Sequence, residues 1–240
     1  MRNIAFIVTS VLIAAAAWGV FGELISSFPG PGTNPCALAW DGQYLWCTTQ
    51  TPDCTFQLNP SDGSVISSYV TGYGFNARGL TWGNSSIYDG RYTPDSVSRR
   101  DTTGSILSSF LVNDIYGGLA YDGDNIWVTS TGPNMFSQYT TDGSLVSSFS
   151  VSFRPFDPGW DGTYLYCGSY EPEHIIYQLT TAGSVVTTLS PPASYPWGCC
   201  SDGTYLWIST TSGSHYIWQF DLGDNAVAPS SIGKVKALFR

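Results

Sequence analysis

Ala37-Leu-Ala-Trp-Asp-Gly-Gln-Tyr-Leu-Trp-Cys47 decides the fold, because the chain repeats it. The phrase returns as Gly118-Leu-Ala-Tyr-Asp-Gly-Asp-Asn-Ile-Trp-Val128, Asp157-Pro-Gly-Trp-Asp-Gly-Thr-Tyr-Leu-Tyr-Cys167 and Gly198-Cys-Cys-Ser-Asp-Gly-Thr-Tyr-Leu-Trp-Ile208, with a worn copy at Gly79-Leu-Thr-Trp-Gly-Asn-Ser-Ser-Ile-Tyr-Asp89. Positions 41, 83, 122, 161 and 202 anchor the copies at intervals of 42, 39, 39 and 41 residues. That is the spacing of propeller blades. A second phrase closes each repeat: Asp62-Gly-Ser-Val-Ile-Ser-Ser-Tyr69, Thr103-Gly-Ser-Ile-Leu-Ser-Ser-Phe110, Asp142-Gly-Ser-Leu-Val-Ser-Ser-Phe149 and Ala182-Gly-Ser-Val-Val-Thr-Thr-Leu189. Each reads as a short strand entered through a tight Gly turn.

The fifth repeat runs through Tyr216-Ile-Trp-Gln-Phe-Asp221 and lacks its last strand, which stands at the other end of the chain as Gly22-Glu-Leu-Ile-Ser-Ser-Phe28. The expected fold is therefore all-β, a five-bladed β-propeller with four antiparallel strands per blade, closed by the N-terminal strand completing the last blade. Closure of this kind leaves no free sheet edge between first and last blade. The blades are expected at about 36–70, 77–112, 117–151, 156–190 and 197–222 plus 22–28, making one domain over 23–222 followed by a tail over 223–240.

Outside the repeats, Arg2 precedes an almost wholly apolar run from Ile4 to Phe21 that ends in small residues. Residues 1–22 read as a signal peptide, with cleavage compatible after Ala17, Gly19 or Gly22. The expectation is a secreted, extracellular or cell-surface protein, a periplasmic one also fitting, with no membrane insertion of the mature chain. Charged residues make up 11% of the chain, against about a quarter in ordinary soluble proteins; Ser, Thr, Gly, Asn and Tyr cover the surface instead. A net charge of −9 disfavours nucleic acid as a partner, because phosphate binding needs a basic footprint.

Six cysteines suit bridges in an oxidising compartment. Cys47 and Cys54 flank a hairpin loop and are expected to pair. Cys199 and Cys200 are adjacent on a strand, so they face opposite sides, and Cys36 and Cys167 are each expected to meet one of them.

The pattern Gly-Leu-Ala-Trp-Asp-Gly-x-Tyr-Leu-Trp, followed by an aromatic-Gln-Leu strand and Asp-Gly-Ser, resembles NHL-type and related bacterial secreted propeller repeats across essentially the whole mature chain. Such repeats serve enzymes, lectins and protein-binding platforms alike. Plant-type glutaminyl cyclases share the blade number and a Trp-rich central pocket, which implies acidic and Lys side chains converging at the channel. The mature chain holds only Glu23, Glu171 and Glu173 as glutamates, and Lys234 and Lys236 in the tail as lysines. Tachylectin-like propellers are similar in size, and that resemblance implies amino-sugar binding.

Tight Asp-Gly turns mark one end of the propeller as structural, whereas irregular loops between blades mark the other as the place for a site. The candidates delivered there are Asn76, Arg78, Tyr116, Arg154, Phe156, Asp157, Tyr195 and Trp197. Aromatics beside Arg, Asp and Asn suit a sugar or a peptide end. The competing reading has Phe156 and Trp197 plugging the channel while Arg and Asp pair with each other. Trp40, Trp82, Tyr121, Trp160 and Ser201 share one strand position and read as blade-to-blade core, as do Trp46, Trp127 and Trp207. The loops after the second strands repeat Pro52-Asp53, Pro94-Asp95, Pro133-Asn134 and Pro172-Glu173, which turn chemistry explains better than calcium. Arg78, Arg91, Arg99 and Arg100 with Asp89, Asp95 and Asp101 gather in the second blade, as solvated pairs or a docking surface. His174 and His215 bring no ligand cluster, and no nucleophile elbow occurs. No catalytic residue, metal or cofactor is expected. The leading functional expectation is a non-enzymatic binding or surface-interaction propeller for an extracellular protein or glycan, with a lectin and a channel-mouth cyclase or hydrolase as alternatives.

Overall fold

The computed structural model describes residues 20–223 apart from 172, 212 and 214. The expected leader, up to residue 19, and the tail beyond Gly223 lie outside the described residues. The chain opens on β1 (Leu24–Pro29) and then lays down β2 (Thr33–Trp40), β3 (Leu45–Thr51), β4 (Cys54–Leu58) and β5 (Val65–Val70) as blade 1. Blade 2 is β6 (Ala77–Gly83), β7 (Ser86–Arg91), β8 (Ser96–Arg100) and β9 (Ile106–Leu111); blade 3 is β10 (Leu119–Tyr121), β11 (Ile126–Ser130), β12 (Met135–Tyr139) and β13 (Leu145–Ser150). Blade 4 is β14 (Pro155–Trp160), β15 (Leu165–Ser169), β16 (Ile176–Leu179) and β17 (Val185–Leu189), and β18 (Pro196–Ser201), β19 (Tyr205–Thr210) and β20 (Tyr216–Asp221) begin blade 5. Each blade is a four-stranded antiparallel sheet, and β1 supplies the fourth strand of blade 5 by pairing with β20, Ser27 opposite Trp218 and Phe28 opposite Ile217. The fold is the five-bladed propeller read from the repeat, closed as expected.

Middle strands of a radial blade are covered on both faces, so they read as continuous buried runs rather than alternating ones. Along β3, Leu45 and Cys47 enter the seam with blade 5 while Trp46 enters the seam with blade 2. The same division recurs at every seam, giving five apolar clusters between neighbouring blades, with a small sixth formed by Cys36, Tyr73 and Ala77 beside Trp197. Trp40, Trp82, Tyr121 and Trp160 pack against these clusters, as expected of seam residues. Outermost strands are mostly exposed, which is why Ser-Ser precedes a single inward aromatic there.

The Asp-Gly phrase is held by its own side chain. Asp41 Oδ1 accepts the Gln43 and Tyr44 N–H groups at 2.8 and 2.6 Å, and Oδ2 accepts the Trp46 indole N–H at 2.8 Å. Asp122 with Trp127, Asp202 with Trp207 and Asp161 with the Tyr166 hydroxyl repeat it. Blade 2 has lost the Asp; there Arg99 reaches back from β8 to Ser86 Oγ at 2.9 Å and the Asn84 carbonyl at 3.2 Å.

The second phrase binds neighbouring blades. A Cβ built on Gly63 would lie 2.3 Å from the Phe28 ring, and Gly104, Gly143 and Gly183 meet Tyr69, Phe110 and Phe149 in the same way. Gly22 meets Leu189 and completes a ring of five such contacts across the closure. Each outer-strand side chain thus rests on a turn that only glycine leaves open.

All six cysteines are free thiols, which corrects the expected bridges. The ladder sets Cys47 opposite Phe56 and Cys54 opposite Thr49. Diagonal neighbours of this kind stand about 7–8 Å apart, beyond the reach of a disulfide. A register break between Pro35 and Ala37 turns Cys36 toward blade 2, where its Sγ faces the Ala77 carbonyl at 3.7 Å. Cys199 and Cys200 do face opposite seams, but Cys167 is turned into the blade 3–4 seam, away from Cys199. Burial pushes the thiols up, Cys36 to about 12.

Two outcomes are expected. Gly42→Ala, at a φ of +99° with open space around it, costs only the backbone penalty of about 1–2 kcal/mol. Gly63→Ala displaces Phe28 as well and exceeds it by about 1–3 kcal/mol in urea unfolding; equal losses would remove the Phe28 contact as the reason for Gly63. In alkylation followed by mass spectrometry without reductant, only half-buried Cys54 labels in the native protein and all six label after unfolding; fewer than six would show a bridge.

Candidate functional site at the channel mouth

Asp157 belongs to the hub of the ring and not to a ligand site. Wholly buried on β14, its Oδ1 accepts the Leu119 N–H at 2.9 Å, and its Oδ2 accepts those of Leu38 at 3.2 Å and Cys199 at 3.4 Å. Burial drives the carboxyl well above its usual range, opposed by these amides and by that of Leu80. One side chain therefore engages the inner strands of all four other blades. The repeat makes room for it: the corresponding residues are Ala37, Gly79, Gly118 and Gly198, and a Cβ on Gly118 would fall 2.0 Å from Asp157 Oδ1.

Above the hub, four of the candidates, Tyr116, Arg154, Phe156 and Trp197, line a cleft of about 250 Å³. Tyr170, just after β15, is its fifth lining residue and was missed; it lies in a loop of the expected functional end but outside the inter-blade segments. Phe156 and Trp197 stack at 4.7 Å between ring centroids and 16° between planes, with Tyr170 edge-on to Phe156 at 5.5 Å. Trp197 also packs against Cys36, Tyr73 and Ala77, so it covers the channel top as the competing reading held. The other half of that reading fails, because Asp157 spends its oxygens on backbone amides and leaves the arginines to stack. The Arg154 guanidinium lies 5.0 Å from the Tyr170 ring centroid, and that of Arg78 lies 4.5 Å from Tyr116.

Of the remaining candidates, Tyr195 stands at the rim with its ring 5.4 Å from Tyr170 and 4.3 Å from His174. Asn76 ends a short 3-10 turn, Gly74–Asn76, and its carbonyl accepts the Tyr92 N–H at 2.9 Å, outside the cleft. At the opposite end, Trp40, Trp82, Tyr121, Trp160 and Ser201 line a cavity of about 60 Å³, room for a few waters only. Among the described residues no group of three His, Cys, Asp or Glu could hold a metal ion, and no helix is long and apolar enough to cross a membrane.

Blade 2 holds neither solvated pairs nor a basic surface. Arg100 and Asp89 pair at 2.5 Å in the interior, at positions that are apolar in the other blades. Tyr73 donates to Asp89 at 3.2 Å, while Arg100 also donates to the Gly104 and Thr71 carbonyls at 2.7 and 3.3 Å. The physical reason is register: Arg100 lies opposite Ile87 and therefore faces the core. Burial pushes the Asp89 carboxyl up to about 6 against the pull of Arg100.

No protein-family model matches the chain, and no curated protein matches it in sequence. Solved structures share its fold. Glutaminyl cyclase of Myxococcus xanthus superposes with a TM-score of 0.69 at 14% identity, covering 84% of this chain and 96% of that one. A catalytically inactive virginiamycin B lyase from Staphylococcus aureus, with quinupristin, gives 0.51 at 20% identity over 81% and 68% of the two chains. The WD40 domain of Neurospora crassa Pan2 gives 0.52 at 11% identity over 80% and 63%. At such identities the likeness is one of fold.

The raised Asp89 carboxyl takes up its proton more readily folded than unfolded. Its contribution to stability is thus fully present below the unfolded value of about 3.9 and lost as pH rises through about 6. Asp89→Asn is expected to flatten that part of the curve of urea midpoint against pH, while lowering the whole curve because Arg100 loses its partner. An unchanged slope between pH 4 and 6 would assign the effect elsewhere.

Proposed function

We propose that this chain is an exported, non-enzymatic binding propeller whose ligand docks at the channel mouth. The carrying observation is the convergence of Tyr116, Arg154, Phe156, Tyr170 and Trp197, from three blades, on one cleft. Aromatic faces and guanidinium groups hold a ligand by stacking and hydrogen bonds. The lining is four aromatic side chains and Arg154, which suits holding a ligand.

Export rests on the leader read from Ile4–Phe21. Phe21 packs against the blade 4–5 seam and the Gly22 N–H donates to the Asp221 carbonyl at 2.8 Å, so cleavage after Ala17 or Gly19 keeps both contacts. The fold likeness to a glutaminyl cyclase favours one other reading, cyclisation of amino-terminal glutamine. Its resemblance implied acidic and Lys groups at the channel, and the cleft presents Arg154 and aromatics instead.

The test is a screen of immobilised glycans and peptides against the mature protein, wild type and Trp197→Ala. Binding that Trp197→Ala and Tyr170→Ala each weaken by about tenfold or more, in proteins that melt cooperatively, is the expected result. Ligand retained in full by both variants would move the site away from the mouth, and ammonia release from a glutaminyl peptide would make the protein an enzyme.

A further inference from the structure

We propose that the ligand of this mouth is an acidic sugar, its carboxylate held by Arg154 and its ring laid on the aromatic lining; this rests on the binding reading above. The chain carries a net charge of −9, yet the charged side chain lining the cleft is Arg154, with Arg78 behind Tyr116. Neither arginine has a carboxylate partner: the one ion pair among the described residues is Arg100 with Asp89. Stacking on Tyr170 and Tyr116 fixes the two guanidinium planes without using their N–H groups. Arg78 is 7% exposed and donates one bond, from Nη1 to the Ala77 carbonyl, while its Nε lacks a partner among the described residues. The buried indole N–H of Trp197 is likewise unpartnered among them.

A guanidinium lining the cleft gives an incoming carboxylate charge-assisted hydrogen bonds. A planar carboxylate matches the guanidinium fork in a bidentate pair. Half-buried Trp197, Tyr116 and Tyr170 offer flat aromatic surface to the C–H face of a pyranose. At about 250 Å³ the cleft suits one ring with its substituents, below the usual range for drug-sized ligands. A peptide end would add an extended backbone needing amide and carbonyl partners, whereas the polar groups found here are side-chain donors.

Calorimetric titration of the mature protein with methyl glucuronide, N-acetylneuraminic acid, methyl glucoside and hippuric acid tests this. An acidic sugar binds at least about tenfold more tightly than the glucoside. Half-buried Arg154, changed to Gln, weakens that binding by about tenfold or more while the melting temperature stays at the wild-type value. Methyl glucoside binding as tightly as the acids, or Arg154→Gln without effect, overturns the carboxylate assignment but leaves a ligand-binding mouth. Hippurate bound with no sugar bound overturns the sugar assignment. No binding by any of the four overturns this inference, and the Trp197→Ala screen then decides separately whether the mouth binds anything.

Discussion

Inner strands from four blades turn their amides toward one carboxylate, that of Asp157. A propeller must bring its blades together at an axis where backbone groups face inward with no sheet partner, and each such group left unmet is costly. Asp157 answers several of them at once. The backbone amides of Leu38, Leu119 and Cys199 donate to it, which favours the charged form even as desolvation opposes it. The small residues at the equivalent positions, Ala37, Gly79, Gly118 and Gly198, follow from the same geometry. A five-fold repeat is thus closed by one deliberate departure from five-fold symmetry.

The perimeter is organised by contacts of another kind. Asp-to-Trp or Asp-to-Tyr hydrogen bonds fix the inner hairpins of four blades, while four outer aromatics and Leu189, resting on glycine turns, join blade to blade around the rim. Blade 2 departs from both neighbours by holding its turn with Arg99 and by placing Asp89 and Arg100 in a seam. A buried pair of this sort is weak evidence for extra stability, since desolvation offsets attraction.

The mouth inherits its geometry from the hub. Phe156 precedes Asp157, and its carbonyl accepts the Thr129 hydroxyl at 2.6 Å. The strand that anchors the axis therefore also presents Phe156 to the cleft, with Arg154 just before its first residue. With the axis occupied beneath by Asp157 and Trp197 packed beside it, the cleft is a recess and not a pore.

Repeat, blade number, closing strand and structural turns were legible in the sequence because they rest on local period and on glycine turns. That Tyr116, Arg154, Phe156 and Trp197 lie together at one end was also legible, since loops at one end of a rigid scaffold converge on its axis. What the sequence could not disclose is which way a side chain points once strands bulge and pack. The register break beside Cys36 and the ladder opposite Cys47 undid the expected bridges, because a one-residue shift moves a side chain to the other face. Register likewise carried Arg100 into the core, and the meeting of five strands turned Asp157 from a candidate ligand residue into the hub. Tertiary structure alone decided those positions, because each depends on neighbours far away in sequence.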